Sequence, residues 1–188
     1  MTGFKSALAP DVLRGKTAWI TGGGTGLGRA MALRFAALGA AVAVSGRRLE
    51  PLDGVVAEIV GLGGRAASAP CDVRDASQVD TALARVRETL GIPDILVNNA
   101  AGNFLCPSEE LTPNGFASVV AIVLHGTFHC TRAAGRLWIE EKRGGTVLSI
   151  ATTYATTGSG FVLPSACAKA GVVALTRSLA VEWARHGI

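Results

Sequence analysis

The sequence is poor in aromatic residues, in charge and in cysteine pairs. Aromatic residues make up 5% and charged residues 17% of the 188 positions, and the basic residues are scattered along the chain. A basic block interleaved with aromatics, typical of nucleic-acid binding, is missing, so we expect no nucleic-acid partner. Cys71, Cys106, Cys130 and Cys167 lie far apart. This spacing predicts neither a metal site nor a disulfide framework.

Long hydrophobic runs are also missing. The longest apolar stretch, around residues 35–44, is too short to span a bilayer, and the first 16 residues contain no apolar core of the signal-peptide type. We therefore expect no membrane partner and a cytoplasmic location; a bacterial cytosol fits best, while a mitochondrial matrix and a peroxisome stay open. A hydrophobic fraction of 49% predicts one globular domain over residues 1–188.

Short apolar runs alternate with longer helical patterns along the whole chain. Such alternation is typical of a doubly wound α/β fold, a parallel sheet of Rossmann type with helices on both faces. A last helix is predicted to begin near Pro164 and to carry Val172, Leu175, Leu179 and Trp183 toward the sheet. Folds of this type normally have about six strands or more, so we expect C-terminal strands to be missing and the natural chain to be longer. The five predicted strands cover residues 17–20, 41–44, 66–69, 95–97 and 146–150.

One helix is predicted in more detail. Val79, Leu83 and Val86 recur at helical spacing within residues 76–90. Asp75 precedes them as a candidate N-cap, and Gln78 follows it at the spacing of a capping box.

The first strand is followed by a glycine-rich turn, TGGGTGLG, over residues 21–28. It matches G-x-G-x-x-G in no register, but its glycines allow positive φ angles and close backbone approach to a pyrophosphate, which the N-terminus of the next helix attracts. Gly28 is expected to let that helix pack tightly on the strand. The turn therefore predicts a dinucleotide site formed by Gly22, Gly23, Gly24, Thr25, Gly26 and Leu27.

A second position selects the coenzyme. About 20 residues after the glycines, an acid takes the ribose 2′-hydroxyl and an arginine accommodates a 2′-phosphate. This chain has Arg47 and Arg48 there, with no carboxylate before Glu50. Because a guanidinium matches phosphate in charge and shape, the sequence favours NADP(H) over NAD(H).

Together with Asp72 and the run NNAAG at residues 98–102, the glycine turn resembles the short-chain dehydrogenase/reductase family over essentially the whole chain. The family signature is Tyr-x-x-x-Lys, yet Ser165 stands four residues before Lys169. Val123 likewise occupies a place where many members carry a catalytic asparagine. These departures, with the stretches 98–107 and 152–171, resemble the 2,4-dienoyl-CoA reductase branch, in which the tyrosine lies upstream.

The resemblance implies roles residue by residue. Tyr154 and Asn103 face the thioester carbonyl, and Lys169 and Ser165 complete the catalytic set. The pyrophosphate lies on the glycine turn, the 2′-phosphate on Arg47, the adenine at Asp72 and the nicotinamide ribose at Lys169. The remaining implied contacts are Asn99 for the cofactor, and Arg74, Phe104 and Thr112 for the acyl-CoA.

These groups suit the implied reaction, the NADPH-dependent reduction of 2,4-dienoyl-CoA thioesters to enoyl-CoA in unsaturated fatty-acid degradation. Negative charge develops on the thioester oxygen, and one hydrogen-bond donor at such an oxygen is typically worth about 3 to 4 kcal/mol of barrier. Two alternatives stay open: another carbonyl or alcohol oxidoreductase of this fold, and a non-catalytic NADP(H)-binding protein. Family members are commonly tetramers, so the resemblance also implies a homo-oligomer.

Overall fold

The structure, a computed structural model, describes residues 8–188 and has a single five-stranded parallel sheet. The strand order β3-β2-β1-β4-β5 confirms the doubly wound α/β prediction. The strands are β1 (Thr17–Thr21), β2 (Ala41–Ser45), β3 (Arg65–Ser68), β4 (Ile95–Asn98) and β5 (Thr146–Ser149). The helices are α1 (Gly26–Ala37), α2 (Leu49–Gly61), α3 (Ala76–Leu90), α4 (Pro113–Val120), α5 (Gly126–Glu140), α6 (Tyr154–Thr157) and α7 (Leu163–Trp183).

Alternating side chains of the central strands fill two cores, one on each face of the sheet. Trp19 of β1 is buried on the face covered by α3 and α5, where Trp138 is also fully buried. Its neighbour Ile20 points to the other face and packs with residues of α1 and α2. Because both faces are covered, β1 and β2 are buried along their whole length, and their polar residues stand only at the strand ends rather than alternating with apolar ones.

Helix α3 has the predicted bounds because its capping residue is well placed. The Asp75 carboxylate accepts from the backbone N–H of Ser77 and of Gln78, at 2.9 and 3.4 Å. The Gln78 amide donates to the same carboxylate at 3.0 Å, a variant of the predicted capping box. The Ser77 hydroxyl donates to this carboxylate at 2.7 Å, and this hydrogen bond, followed by that from the Gln78 amide, holds the pKa of Asp75 below its ordinary value.

A π-helical turn, Ala121–His125, joins α4 to α5 and has no counterpart among the sequence predictions. Val123 lies in this turn and is buried against Ala168 and Val172 of α7. The Thr127 hydroxyl donates to the Val123 carbonyl at 2.7 Å. The position at which many family members carry an asparagine is therefore a packing position here.

Helix α7 begins at Leu163, one residue before the predicted start. Val172 is buried as predicted, while Leu175, Leu179 and Trp183 are half-buried beside Val147 of β5. None of the helices within residues 8–188 combines the length and apolarity needed to cross a membrane.

Candidate functional site

The glycine turn lies between β1 and α1, at the carboxyl edge of the sheet. Gly22 and Gly26 adopt positive φ angles of 63° and 52°, which favour glycine. A Cβ at Gly28 would lie 2.1 Å from the Gly22 carbonyl oxygen, so the first turn of α1 packs directly on the loop. This close approach confirms the tight packing expected at Gly28, although the partner is the turn itself rather than the strand.

Asn99 clamps this turn from the neighbouring strand. Its side-chain amide donates to the carbonyl oxygens of Thr21 and Gly22, at 3.0 and 3.1 Å. In return the Thr21 hydroxyl accepts from the backbone N–H of Asn99 and of Ala100, at 3.1 and 3.0 Å. The predicted cofactor residue Asn99 therefore shapes the turn through its amide. Sequence reasoning gave Thr21 no role, although its position at the strand end is the signal that could have found it.

A cleft of about 410 Å³ opens above the turn, at the point where the strand order reverses between β1 and β4. Gly23 is the one predicted turn residue outside its lining: its N–H donates to the Ser45 carbonyl, and its Cα faces Val44. The lining also contains residues that were not predicted as site residues, among them Pro51, Leu52, Cys71, Val73 and Ile122. Burial raises the pKa of the Cys71 thiol, so this thiol stays protonated. The lining includes the predicted residues Gly22, Gly24, Thr25, Gly26, Leu27, Arg47, Asp72 and Asn99.

Charged side chains occupy the far end of the cleft. The Arg74 Nε donates to both carboxylate oxygens of Asp72, at 3.0 and 2.9 Å. This hydrogen bonding holds the pKa of Asp72 below its ordinary value. Arg47 is exposed on the cleft wall and, among residues 8–188, makes no ion pair. Arg48 also lines the cleft and makes no ion pair within the described residues, so this wall presents two guanidinium groups.

A second cluster forms where α6 packs against α7. The Tyr154 hydroxyl lies 2.9 Å from the Ser165 hydroxyl, and Lys169 follows one helical turn later. The Lys169 side chain is only 5% exposed, and its ammonium donates to the Ile150 carbonyl at the end of β5. Burial lowers the pKa of Lys169. The structure therefore brings Tyr154 and Ser165 into contact and places Lys169 one turn further along α7, whereas Asn103, the fourth residue of the predicted catalytic set, lies on a different loop.

The loop after β4 carries three more of the predicted residues, Asn103, Phe104 and Thr112. Thr112 caps α4, its hydroxyl accepting from the Gly115 N–H at 3.0 Å. The Phe104 ring and the Thr112 hydroxyl both border Gly115, so these two predicted substrate contacts lie close together. Asn103 is exposed and forms no hydrogen bond within the described chain. Arg74 lies apart from this loop, paired with Asp72.

Comparison with known proteins decides the family. A family model described as short chain dehydrogenase matches residues 16–188. The chain belongs to the short-chain dehydrogenase family. Among solved relatives, a short chain dehydrogenase from Bacillus anthracis shares 45% identity and superposes with a TM-score of 0.88, covering 92% of this chain and 72% of that one.

Curated members of the short-chain dehydrogenase family are also similar. An oxidoreductase from Caenorhabditis elegans is 51% identical over 97% of this chain. Proteins named probable 2,4-dienoyl-CoA reductase are 48% identical in Bacillus subtilis, over 92% of this chain, and 44% identical in C. elegans, over 96%. The chain spans 59%, 68% and 59% of the lengths of these three relatives.

Proposed function

We propose that this short-chain dehydrogenase belongs to an NADPH-dependent 2,4-dienoyl-CoA reductase. The observation that carries the proposal is the 2.9 Å contact between the hydroxyls of Tyr154 and Ser165. Ser165 stands where the common signature has its tyrosine, so an upstream phenol reaches the same region beside Lys169. The names of the relatives from B. subtilis and C. elegans support this branch.

The cleft fits a dinucleotide coenzyme. Gly22 and Gly26 are left-handed, and around Gly26 no atom would meet an added Cβ, so a phosphate could approach the backbone there. The N-terminus of α1 has no side-chain cap and directs its free N–H groups toward this space. We assign the 2′-phosphate of NADP(H) to Arg47, because its guanidinium lies on the cleft wall without an acidic partner.

The far end of the cleft suits the adenine half, with Asp72 beside it. Arg74 already holds this carboxylate, so a contact between Arg74 and the acyl-CoA would require the pair to open. Asn99 would contribute by fixing the turn, and Lys169 by holding the ribose at the other end. Phe104 and Thr112 stay proposed contacts of the acyl-CoA.

Bound NADPH would supply the hydride for reduction of the conjugated diene. Tyr154 and Asn103 would donate hydrogen bonds to the thioester oxygen, where negative charge develops. The Ser165 hydroxyl orients the phenol of Tyr154. The buried ammonium of Lys169 contributes positive charge close to the same phenol. Since Asn103 is exposed and free to turn, its amide can meet a substrate that enters from the open side.

The test follows NADPH absorbance with a 2,4-dienoyl-CoA and with a simple ketone, using the protein at its full natural length. We expect oxidation with the dienoyl thioester alone. Replacement Tyr154→Phe removes one donor to the developing charge and should lower kcat by about 100- to 1000-fold. Tight NADPH binding without oxidation of either substrate would rule out the enzymatic assignment, and turnover of the ketone alone would favour a carbonyl reductase.

A further inference from the structure

Phe161 has an unusual backbone conformation next to the proposed catalytic cluster. Its φ angle is +64°, a left-handed value that bulky side chains rarely adopt. Gly160 precedes it, yet it is Phe161 and not this glycine that takes the left-handed conformation. A turn needed only for chain reversal would favour glycine at position 161. The strained phenylalanine therefore indicates a role for its side chain.

The backbone of Phe161 joins two loops that carry proposed catalytic residues. Its carbonyl accepts from the Cys106 N–H at 3.0 Å, which joins the segment after α6 to the loop that carries Asn103. Four residues later Ser165 meets the Tyr154 hydroxyl. Phe161 thus connects the two segments from which Tyr154 and Asn103 extend.

Large apolar side chains are exposed on both segments. Phe161 is 59% exposed and Leu105, one residue from its bonded partner Cys106, is 78% exposed. Leu163 and Phe104 are also exposed. Exposed apolar side chains on segments that also carry polar groups such as Tyr154 and Asn103 are typical of a ligand site.

We propose that Phe161, with Leu105 and Leu163, forms the subsite for the hydrocarbon tail of the substrate and makes the enzyme selective for longer acyl chains. The inference rests on the proposed reductase function. The thioester end of the substrate meets Tyr154 and Asn103, and carbons beyond the diene extend over the Phe161 ring. A short dienoyl chain ends before this surface and gains nothing from it.

The experiment compares kcat/KM for a six-carbon and a ten-carbon 2,4-dienoyl-CoA in the full-length protein. Two variants distinguish the effect of the aromatic ring from that of the backbone strain. Phe161→Ala removes the ring and keeps the strained backbone, whereas Phe161→Gly removes both. We expect both to lose roughly tenfold in kcat/KM for the long substrate and less than about twofold for the short one. We further expect the Tm of Phe161→Gly to equal or exceed that of the wild type.

Lys142 supplies a matched control, because it has a φ of +53° at the end of α5, away from both loops. Lys142→Gly should raise Tm and leave the ratio of the two kcat/KM values unchanged. An equal loss for both chain lengths in the Phe161 variants, or a Tm fall in Phe161→Gly, would overturn the tail subsite and leave Phe161 as a packing residue.

Binding of saturated six- and twelve-carbon acyl-CoAs, measured by calorimetry, distinguishes the two proposals. If no dienoyl-CoA is reduced but Phe161→Ala still weakens binding of only the longer probe, the reductase assignment fails and the tail subsite stands. If reduction is observed and chain-length preference is unchanged in the variants, the reductase assignment stands and the tail subsite fails.

Discussion

A buried lysine defines the site at the scale of single residues. Lys169 lies one helical turn after Ser165, which contacts the Tyr154 hydroxyl, and its ammonium donates to the Ile150 carbonyl. Burial disfavours the charged amine, whereas the carbonyl stabilises it. The lowered pKa of Lys169 shows that burial dominates. A lysine is retained here at a cost in stability, which is expected of a functional group rather than of a packing residue.

This cost should be visible in the pH dependence of unfolding. Because the folded-state pKa of Lys169 lies below its ordinary value of 10.5, the unfolded chain binds the proton more tightly. The free energy of unfolding should therefore rise with pH between the lowered pKa and 10.5. Lys169→Met removes this contribution, so the stability of the wild type relative to the variant should increase as pH rises in urea titrations. Exposed Lys142, replaced by Met, is the control, and a difference for Lys169→Met that stays flat or falls with pH would contradict the argument.

At the scale of elements, the packing of α1 against the turn after β1 depends on the absence of a side chain at Gly28. An alanine Cβ at Gly28 would meet the Gly22 carbonyl oxygen at 2.1 Å and the Asn99 amide at 2.6 Å. Gly28→Ala must displace the helix or the clamp, and we expect it to lower the free energy of unfolding by about 2 to 3 kcal/mol. Loss of the turn geometry should also abolish detectable coenzyme binding in calorimetric titrations.

Gly54 provides the matched control for this variant. It lies within α2, and an added Cβ would meet no atom within 4 Å. Gly54→Ala should raise the free energy of unfolding by about 0.5 to 1 kcal/mol and leave coenzyme binding intact. Equal stabilities of the two variants would show that crowding at the turn does not govern this region.

Sequence patterns predict those elements whose signals are local. Helix α3 is recovered with its bounds because Asp75 and the apolar spacing act within a few residues. The π-helical turn Ala121–His125 is not predicted from the sequence, because one extra residue per turn barely changes the spacing of apolar residues. Helix α7, which packs against this turn, is also distant in sequence. The Asp72–Arg74 ion pair is not predicted either, because side chains two residues apart face each other only in an irregular loop such as this one.

At the scale of the whole molecule, the parallel sheet places the residues of the candidate site at one edge, where its strands end. The strands end in Thr21, Ser45, Ser68, Asn98 and Ser149, so a polar residue stands at every carboxyl end. Loops from these ends carry the glycine turn, Arg47, Asp72, Asn103 and Tyr154. Residues as far apart in sequence as Thr21 and Ala100 therefore meet because of strand order, which is why resemblance to a family could predict this grouping and local periodicity could not.

Coenzyme binding should stabilise this whole assembly, and the size of the effect should depend on the 2′-phosphate. A ligand at about one hundred times its Kd adds roughly 2.7 kcal/mol to the free energy of unfolding, which for a domain of this size corresponds to a Tm rise of roughly 5 to 10 °C. At one equal concentration, NADPH should raise Tm more than NADH, because the Arg47 guanidinium has a 2′-phosphate to pair with only in NADPH. Arg47→Ala should bring the NADPH shift down to that of NADH. Arg65→Ala, at the opposite end of β3 from the cleft, should leave both shifts unchanged. A larger shift with NADH in the wild type would reverse the coenzyme assignment, since it would mean that this cleft receives a ribose hydroxyl despite the arginine at its wall.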